Sequence, residues 1–423
     1  MAEIAAGVVA AEQVVSTTVQ AGAAGYAVGK PSNGLSATFS QLATASPDGT
    51  SNSLARSNHS LTVVGDRAYI FGGQTDAGKL ATNHVHSFAL PTKDKAQADY
   101  HLTPAIALAE GGPVPQSRRS HSACALGGCI AVFGGVDESG STIVDPAIWL
   151  YDPQKSAWEA TLPEPSTTAP TARSTASLFS DGEDLLLYGG KDGHGTPLVD
   201  VWIFVFSTRT WARLPDAPAS TTSAAFAGGS LYLISATDAL SSALHHLSIT
   251  IEAEEPPSWD TVQFPTNPLT PGPRPRENGG LLHVTTGFGR QYLLYLLGDR
   301  QPTSPSESAE AASPPQWSDM WSLQLPASHV SVERTTTFSE AIKPAKIKDA
   351  IRSKLGYDAG TFTWAEVDVK PPGDLAEPEG KVHPGPRSSF GCDVLANRKD
   401  VALWGGINAK GEQEGDGWII QLE

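Results

Sequence analysis

Cysteine is scarce. Three in 423 residues exclude a paired disulfide framework and point to a reducing, cytoplasmic setting. Cys124 and Cys129 straddle Gly127-Gly128, where a hairpin would face the two thiols, but such low cysteine use argues against a bond between them. Positive charge is also short. Lys and Arg number 29 against 45 Asp and Glu, and the net charge of −16 excludes a general nucleic-acid binder, which needs a basic face to displace counterions. Charged residues are only 17%, whereas glycine and proline number 41 and 32, the balance of a turn-rich all-β chain. No basic stretch precedes the apolar residues 2–29, and Glu3 and Glu12 interrupt them. They therefore read neither as a secretory leader nor as a membrane span, whose centre penalises an ionised carboxylate by about 3 kcal/mol. Ile4, Val8, Ala11, Val15 and Val19 recur at helical spacing and predict an amphipathic helix in an N-terminal arm, residues 1–30. The Asn58-His59-Ser60 sequon is expected to stay unmodified. Nucleotide loops, zinc-protease helices and serine-nucleophile elbows are absent from the sequence.

What recurs is an apolar run ending in two glycines. Tyr69-Ile70-Phe71-Gly72-Gly73, Ala131-Val132-Phe133-Gly134-Gly135, Leu186-Leu187-Tyr188-Gly189-Gly190 and Ala402-Leu403-Trp404-Gly405-Gly406 are the four clear instances. A strand-like segment and a tryptophan accompany each. At a period of roughly 50 residues this pattern resembles the kelch repeat of β-propellers, similar to the central domain of galactose oxidase. The resemblance implies an all-β, six-bladed propeller over residues 31–423. Its alanine-, serine- and proline-rich style resembles stand-alone filamentous-fungal proteins.

Six blades can be read. Blade one starts at Ser60–Val64, blade two at Ser122–Leu126, blade three at Ala176–Ser180 and blade six at Phe390–Leu395. Blade four is degenerate, with Ser235-Ala236 in place of the glycines, and blade five has Gly298-Asp299. Blade six ends at Leu422 without an outer strand, and Ala37–Leu42 is expected to supply it and close the ring. The tryptophans are expected to be core wedges. Between strands 3 and 4 of blade five lies an insert, 328–360. Pro344 to Leu355 within it reads as a helix, and Lys343, Lys346, Lys348, Arg352 and Lys354 make it basic. It is either a solvated helix face or a docking element for an acidic partner, and loop parity puts it on the face opposite the channel mouth.

Strand direction alternates in a blade, so the segments leading into each strand 1 share a face with the loops joining strands 2 and 3. Five of the six leading segments carry arginine: Arg56, Arg118-Arg119, Arg173, Arg276 and Arg387. Two readings are open. The arginines stitch the repeat together, or they ring a funnel with guanidinium forks suited to a carboxylate, an acidic peptide or a small oxygenated ligand. On the second reading, Arg119, His121, Arg173, Asn278 and Arg387 form the ligand site, with His59 and Asp192 at the rim. In kelch adaptors of ubiquitin ligases this face takes acidic peptides, which the resemblance implies here too. The expected protein is a monomeric ligand- or peptide-binding propeller. The alternative is a cofactor-free enzyme, a cyclase, isomerase or pericyclase, using the same funnel.

No cofactor and no metal are expected. Copper chemistry like that of galactose oxidase needs a cysteine cross-linked to tyrosine, and Cys124, Cys129 and Cys392 fall in or beside blade strands. Plant specifier proteins, also kelch propellers, carry Glu-x3-Asp-x3-His for iron. The nearest match is Glu412, Asp416 and Ile420, which lacks the histidine.

Overall fold

In the computed structural model, strands form where apolar residues alternate at period two between turn residues, and the longer ones group into six blade sheets. The structure describes residues 34–76, 78–91, 99–165, 168–236, 242–249, 256–264, 272–286, 289–300, 315–326, 362–371 and 381–423. The predicted helices in residues 1–30 and in the 328–360 insert lie outside them. Blade one comprises Ser60–Val64, Arg67–Phe71, Val85–Ala89 and Tyr100–Thr103. Blade two comprises Ser122–Leu126, Cys129–Phe133, Ile148–Asp152 and Ala157–Thr161, and blade three Ser177–Ser180, Leu185–Tyr188, Val201–Val205 and Thr210–Leu214. Blade four is Ala224–Ala227, Ser230–Ala236, Ser242–Ser248 and Trp259–Phe264; blade five is Gly280–Thr285, Gln291–Leu296, Met320–Gln324 and Trp364–Glu366. The fold is a six-bladed all-β propeller. Among the described residues there is no helix, and so none that could cross a membrane.

Blade six closes the ring. Its strands Gly391–Val394, Val401–Trp404 and Asp416–Leu422 are joined by Ser36–Thr44, antiparallel, with Ala37 opposite Leu422 and Thr44 opposite Asp416. The sequence expectation of an N-terminal closing strand holds, two residues longer at its C-terminal end than read. A fifth strand, Asp368–Lys370, adds parallel to Ser36–Thr38 and covers the outer edge, which the sequence reading did not foresee.

Alternation along the strands distributes the core between blades. Leu186 and Tyr188 join Leu231, Leu233 and Leu247 at the blade three–four junction. Leu185 and Leu187, one residue out of phase, join Ala131 and Phe133 toward blade two. Each of the six junctions has one such apolar cluster. Trp149, Trp158, Trp202, Trp211, Trp404 and Trp418 are buried in them, as wedges. The three cysteines are free: Cys124 pairs across the hairpin with Ala131, and Cys129 with Leu126.

The double glycine has a local cause. Gly72 and Gly73 have φ of 63° and 97°, and a Cβ on Gly72 would lie 2.4 Å from the Arg118 carbonyl of the next blade. That close approach lets Gly73 N donate to Arg118 O at 2.9 Å, and the equivalent bond links blades two–three, five–six and six–one. In blade five the first position is Leu297, which adopts φ 52° despite its side chain, a strained exception to the rule.

Candidate functional site: the channel mouth

Short ladders confirm which loops share a face. Arg56–Ser57 pairs with Gln74–Thr75, Arg276–Glu277 with Asp299–Arg300, and Arg387–Ser388 with Ile407–Asn408. Single bridges join Arg119 to Val136 and Ser174 to Lys191.

The five repeat arginines do not face the channel. Arg56, Arg118, Arg173, Arg276 and Arg387 are at most 2% exposed. Each guanidinium turns back into its own blade and donates Nη1 to the carbonyl at the first position of the glycine pair, Gly72, Gly134, Gly189, Leu297 or Gly405, at 2.9–3.1 Å. In four blades an aspartate leading into strand 3 completes the pair. Arg173 reaches Asp200 at 2.7 and 2.8 Å, Arg276 reaches Asp319 at 2.9 Å, Arg387 reaches Asp416 at 2.6 Å, and Arg118 lies 3.7 Å from Asp145. Trp202, Trp321 and Trp149 donate their indole N–H to the same carboxylates. Burial alone would raise the Asp200 and Asp416 carboxyls, but their bonds to arginine hold them below the usual carboxylate range. Blade four replaces the arginine with Thr221, whose hydroxyl donates to Ile234 O at 2.8 Å. Arg173 and Arg387 are thus corrected from ligand residues to internal ties, because carbonyls and carboxylates inside their own blades already take their donors. The sequence carried a signal for this: Asp200-Val-Trp202, Asp319-Met-Trp321 and Asp416-Gly-Trp418 repeat in register with the arginines.

Two residues after each arginine the chain turns left-handed: Asn58, Ser120, Thr175, Asn278 and Ser389 have φ of 52–55°. These residues form a backbone belt around the mouth. Asn58 N donates to Ser389 O, Ser120 N to Asn58 O, Thr175 N to Ser120 O and Ser389 N to Asn278 O, all at 2.8–2.9 Å. Asn278 N instead donates to the Thr222 hydroxyl at 3.1 Å. Asn58 of the sequon is therefore fixed within the belt.

His59 and His121 lie beneath the belt rather than on it, 7% and 9% exposed. His121 Nε2 bonds the Ser60 hydroxyl at 2.9 Å, and its ring meets Phe71 edge-on. Neither nitrogen of His59 makes a hydrogen bond of good geometry. Both are wedges between blades, which corrects their reading as ligand groups. Burial pushes His121 down to about 3 and holds His59 well below the usual imidazole range. Burial likewise takes His86 to about 2, where it accepts from Arg56 in place of an aspartate, and His283 to about 4. A pH dependence follows. These folded-state values lie below the unfolded one, so the stabilisation is full above pH 6.5 and is lost as pH falls. Between pH 6.5 and 5 His86, His121 and His283 each contribute a loss of about 2 kcal/mol, and His59 acts in the same direction. Asp393 opposes them. Burial raises it to about 6, so its contribution is full below pH 4 and lost as pH rises through 6. Three or four imidazoles outweigh one carboxyl. Urea unfolding from pH 8 to 4.5 should show stability dropping on the acid side, and His121→Gln should flatten that slope.

What does face outward is smaller and differently charged. Arg119 is half-buried, donates to the Gln74 side-chain oxygen at 3.1 Å, and pairs with no carboxylate among the described residues. Arg300, in the strand 2–3 loop of blade five, stacks 3.8 Å over the Trp317 ring and likewise has no carboxylate partner among them. It belongs to one of the loops that strand alternation puts on the same face as the leading segments. Asn278 is exposed, with its amide on Asp299 at 2.9 Å. Asp192 shapes its own loop, accepting from the backbone of His194 and Thr196 at 2.8 Å, and those bonds lower its pKa. Of the seven predicted residues, Arg119 and Asn278 keep an outward position with polar groups on this face, and Asp192 holds the turn of its own loop.

Among the described residues no three His, Cys, Asp or Glu side chains are grouped to hold a metal ion. Asp416, the centre of the nearest iron-type match, is bound to Arg387, and Glu412 accepts from Asn408. Burial pushes the Cys392 thiol up to about 12 and Cys124 higher still, so neither forms a thiolate near neutral pH.

Glycine pairs, buried arginines and a closed ring also occur together with sequence similarity to known proteins. Residues 39–240 match the KLHDC2/KLHL20/DRC7 Kelch-repeats domain. The match begins in the closing strand, runs through blades one to three and enters blade four. Kelch domain-containing protein 3 of Bos taurus is 28% identical over 167 residues, covering 38% of this chain and 41% of that protein. N-(sulfonatooxy)prop-2-enimidothioate sulfolyase of Thlaspi arvense is 27% identical over 167 residues, covering 38% and 44%. The chain thus spans less than half the length of these curated relatives. Among solved structures, that of YjhT superposes with a TM-score of 0.54 at 14% identity, over 87% of this chain and 97% of YjhT, a likeness of fold.

Proposed function

We propose that the kelch propeller is a binding module whose channel mouth takes a peptide carrying carboxylates. The observation behind this reading is the division of the arginines. Five are closed into ion pairs or carbonyl contacts inside the blades, whereas Arg119 and Arg300 remain on the face without a carboxylate partner among the described residues. They belong to blades two and five, across the ring from each other. Between them lie short neutral residues, Asn58, Ser120, Thr175, Thr222 and Ser389, suited to the polar backbone of an extended peptide. Stacking on Trp317 presets the Arg300 fork, which lowers the entropic cost of engaging a carboxylate.

The enzyme reading draws on the sulfolyase relative, but the mouth offers little acid–base chemistry. His59 and His121 are buried there, and both oxygens of Asp393 accept backbone N–H groups, from Val63 and Val394, at 2.8 Å. The test is selection from a displayed peptide library against the wild type and against Arg119→Gln/Arg300→Gln. Enrichment of Asp- and Glu-bearing peptides is expected on the wild type, with at least tenfold weaker binding on the double variant, about 1.4 kcal/mol. Equal binding by a folded double variant would move the site off this face.

A further inference from the structure

The junction between blades three and four lacks the backbone bonds that tie blades one–two, two–three, five–six and six–one. Gly190 N makes no bond to the next blade's leading segment, and the belt has no bond from Thr222 to Thr175. The Tyr188 hydroxyl bridges the gap instead, donating to Ala219 O at 2.7 Å and accepting from Thr221 N at 3.2 Å. On the opposite face the same junction opens into a cavity of about 80 Å³, lined by Leu185, Leu186, Ile203, Phe226 and Ile249, with Asp181 and Asp184 at its edge. The space fits one aliphatic side chain rather than a larger ligand.

The rim is acidic. Asp181 Oδ1 accepts from the backbone of Glu183 and Asp184, and Asp184 Oδ1 accepts from Phe206 N, so one oxygen of each is fixed. The second oxygen of each has no partner among the described residues. Glu183 is exposed beside them. No lysine or arginine occurs between Leu214 and Pro273, so blade four brings no cation to neutralise this edge. An apolar slot bordered by unneutralised carboxylates complements an aliphatic anchor flanked by positive charge.

We infer that the blade three–four cavity docks a partner segment presenting a single Ile, Leu or Val beside Lys or Arg. This site is on the face opposite the channel mouth and does not depend on the peptide reading given there. The two faces would then accept ligands of opposite charge.

The probe is a fluorescent peptide, acetyl-Gly-Lys-Lys-Ile-Lys-Arg-Gly, titrated against the full chain at low and physiological salt. Two control peptides replace Ile with Ser, or the cations with Gln. Binding of the probe at least tenfold tighter than either control is expected. Ile203→Phe, which fills the slot, and Asp181→Asn/Asp184→Asn, which keeps the backbone bonds, should each weaken it at least tenfold. Circular dichroism and melting confirm that each variant is folded. Equal binding of the Ile and Ser peptides would reduce the effect to the net charge of the chain and overturn the proposal. So would binding that survives both folded variants. Binding seen only after deletion of residues 328–360 would assign the cavity to the chain's own basic segment and overturn a partner in trans.

Discussion

Removing residues 1–45 should leave a protein that is insoluble or melts more than about 10 °C lower, while removing residues 1–33 should leave the melting temperature nearly unchanged. The difference isolates the closing strand. Leu35, Ala37 and Phe39 are 4% exposed or less and lie in the cluster shared by blades five and six. Burying a leucine and a phenylalanine contributes about 2–3 kcal/mol each, before any backbone bonds are counted. Losing Ser36–Thr44 also bares the edge of Asp416–Leu422 and strips Asp368–Lys370 of its partner. In a large domain a few kcal/mol shift melting by about 10 °C. Phe39→Ala is the milder version, expected to cost about 3–4 kcal/mol in urea unfolding. A 1–45 deletion that melts with the full-length chain would refute closure by this strand.

Arg387→Gln should destabilise the propeller by about 3–5 kcal/mol and leave peptide binding at the mouth intact wherever the protein remains folded. The side chain is fully buried, and it bonds Asp416, the Gly405 carbonyl at 3.0 Å and the Pro384 carbonyl. Glutamine reaches at most part of that set and leaves Asp416, itself 2% exposed, with Lys381 at 3.4 Å as its remaining cation among the described residues. The cost comes from an uncompensated buried carboxylate more than from the lost attraction. Asp416→Asn in the same background should recover part of the loss, since it removes the stranded charge. Unfolding curves for the three variants read the cycle directly. A binding defect in Arg387→Gln without loss of stability would return this arginine to the ligand site.

These two residues show what was legible. The apolar runs and glycine pairs specify strands 2 and their exits, because alternation and positive φ are local demands that the chain states locally. The Ala37–Leu42 stretch was readable as a closing strand because blade six lacked one. Asp368–Lys370 was not, since its pairing depends on where the chain returns after a long insert. The arginines were visible as a period, but a period fixes a position and not the direction of a side chain. Only the aspartates two residues before Trp202, Trp321 and Trp418 say that the guanidiniums turn inward. Arg300 was passed over because its distinguishing feature, the stack on Trp317, joins residues on either side of a long loop.

The pairing of Ala37 with Leu422 sets an order of events during synthesis. The closing strand is made before blade one, and its partner strand only after blade five. Blades one to five bring together neighbouring hairpins and can form as they emerge, whereas blade six requires the longest loop closure in the chain. Until that step, Phe39 and the inner faces of blades five and six stay exposed to other chains. Ring closure is therefore expected to be the slow phase of refolding, with a rate that falls when the strand Ser36–Thr44 is weakened and is little affected by changes at the channel mouth.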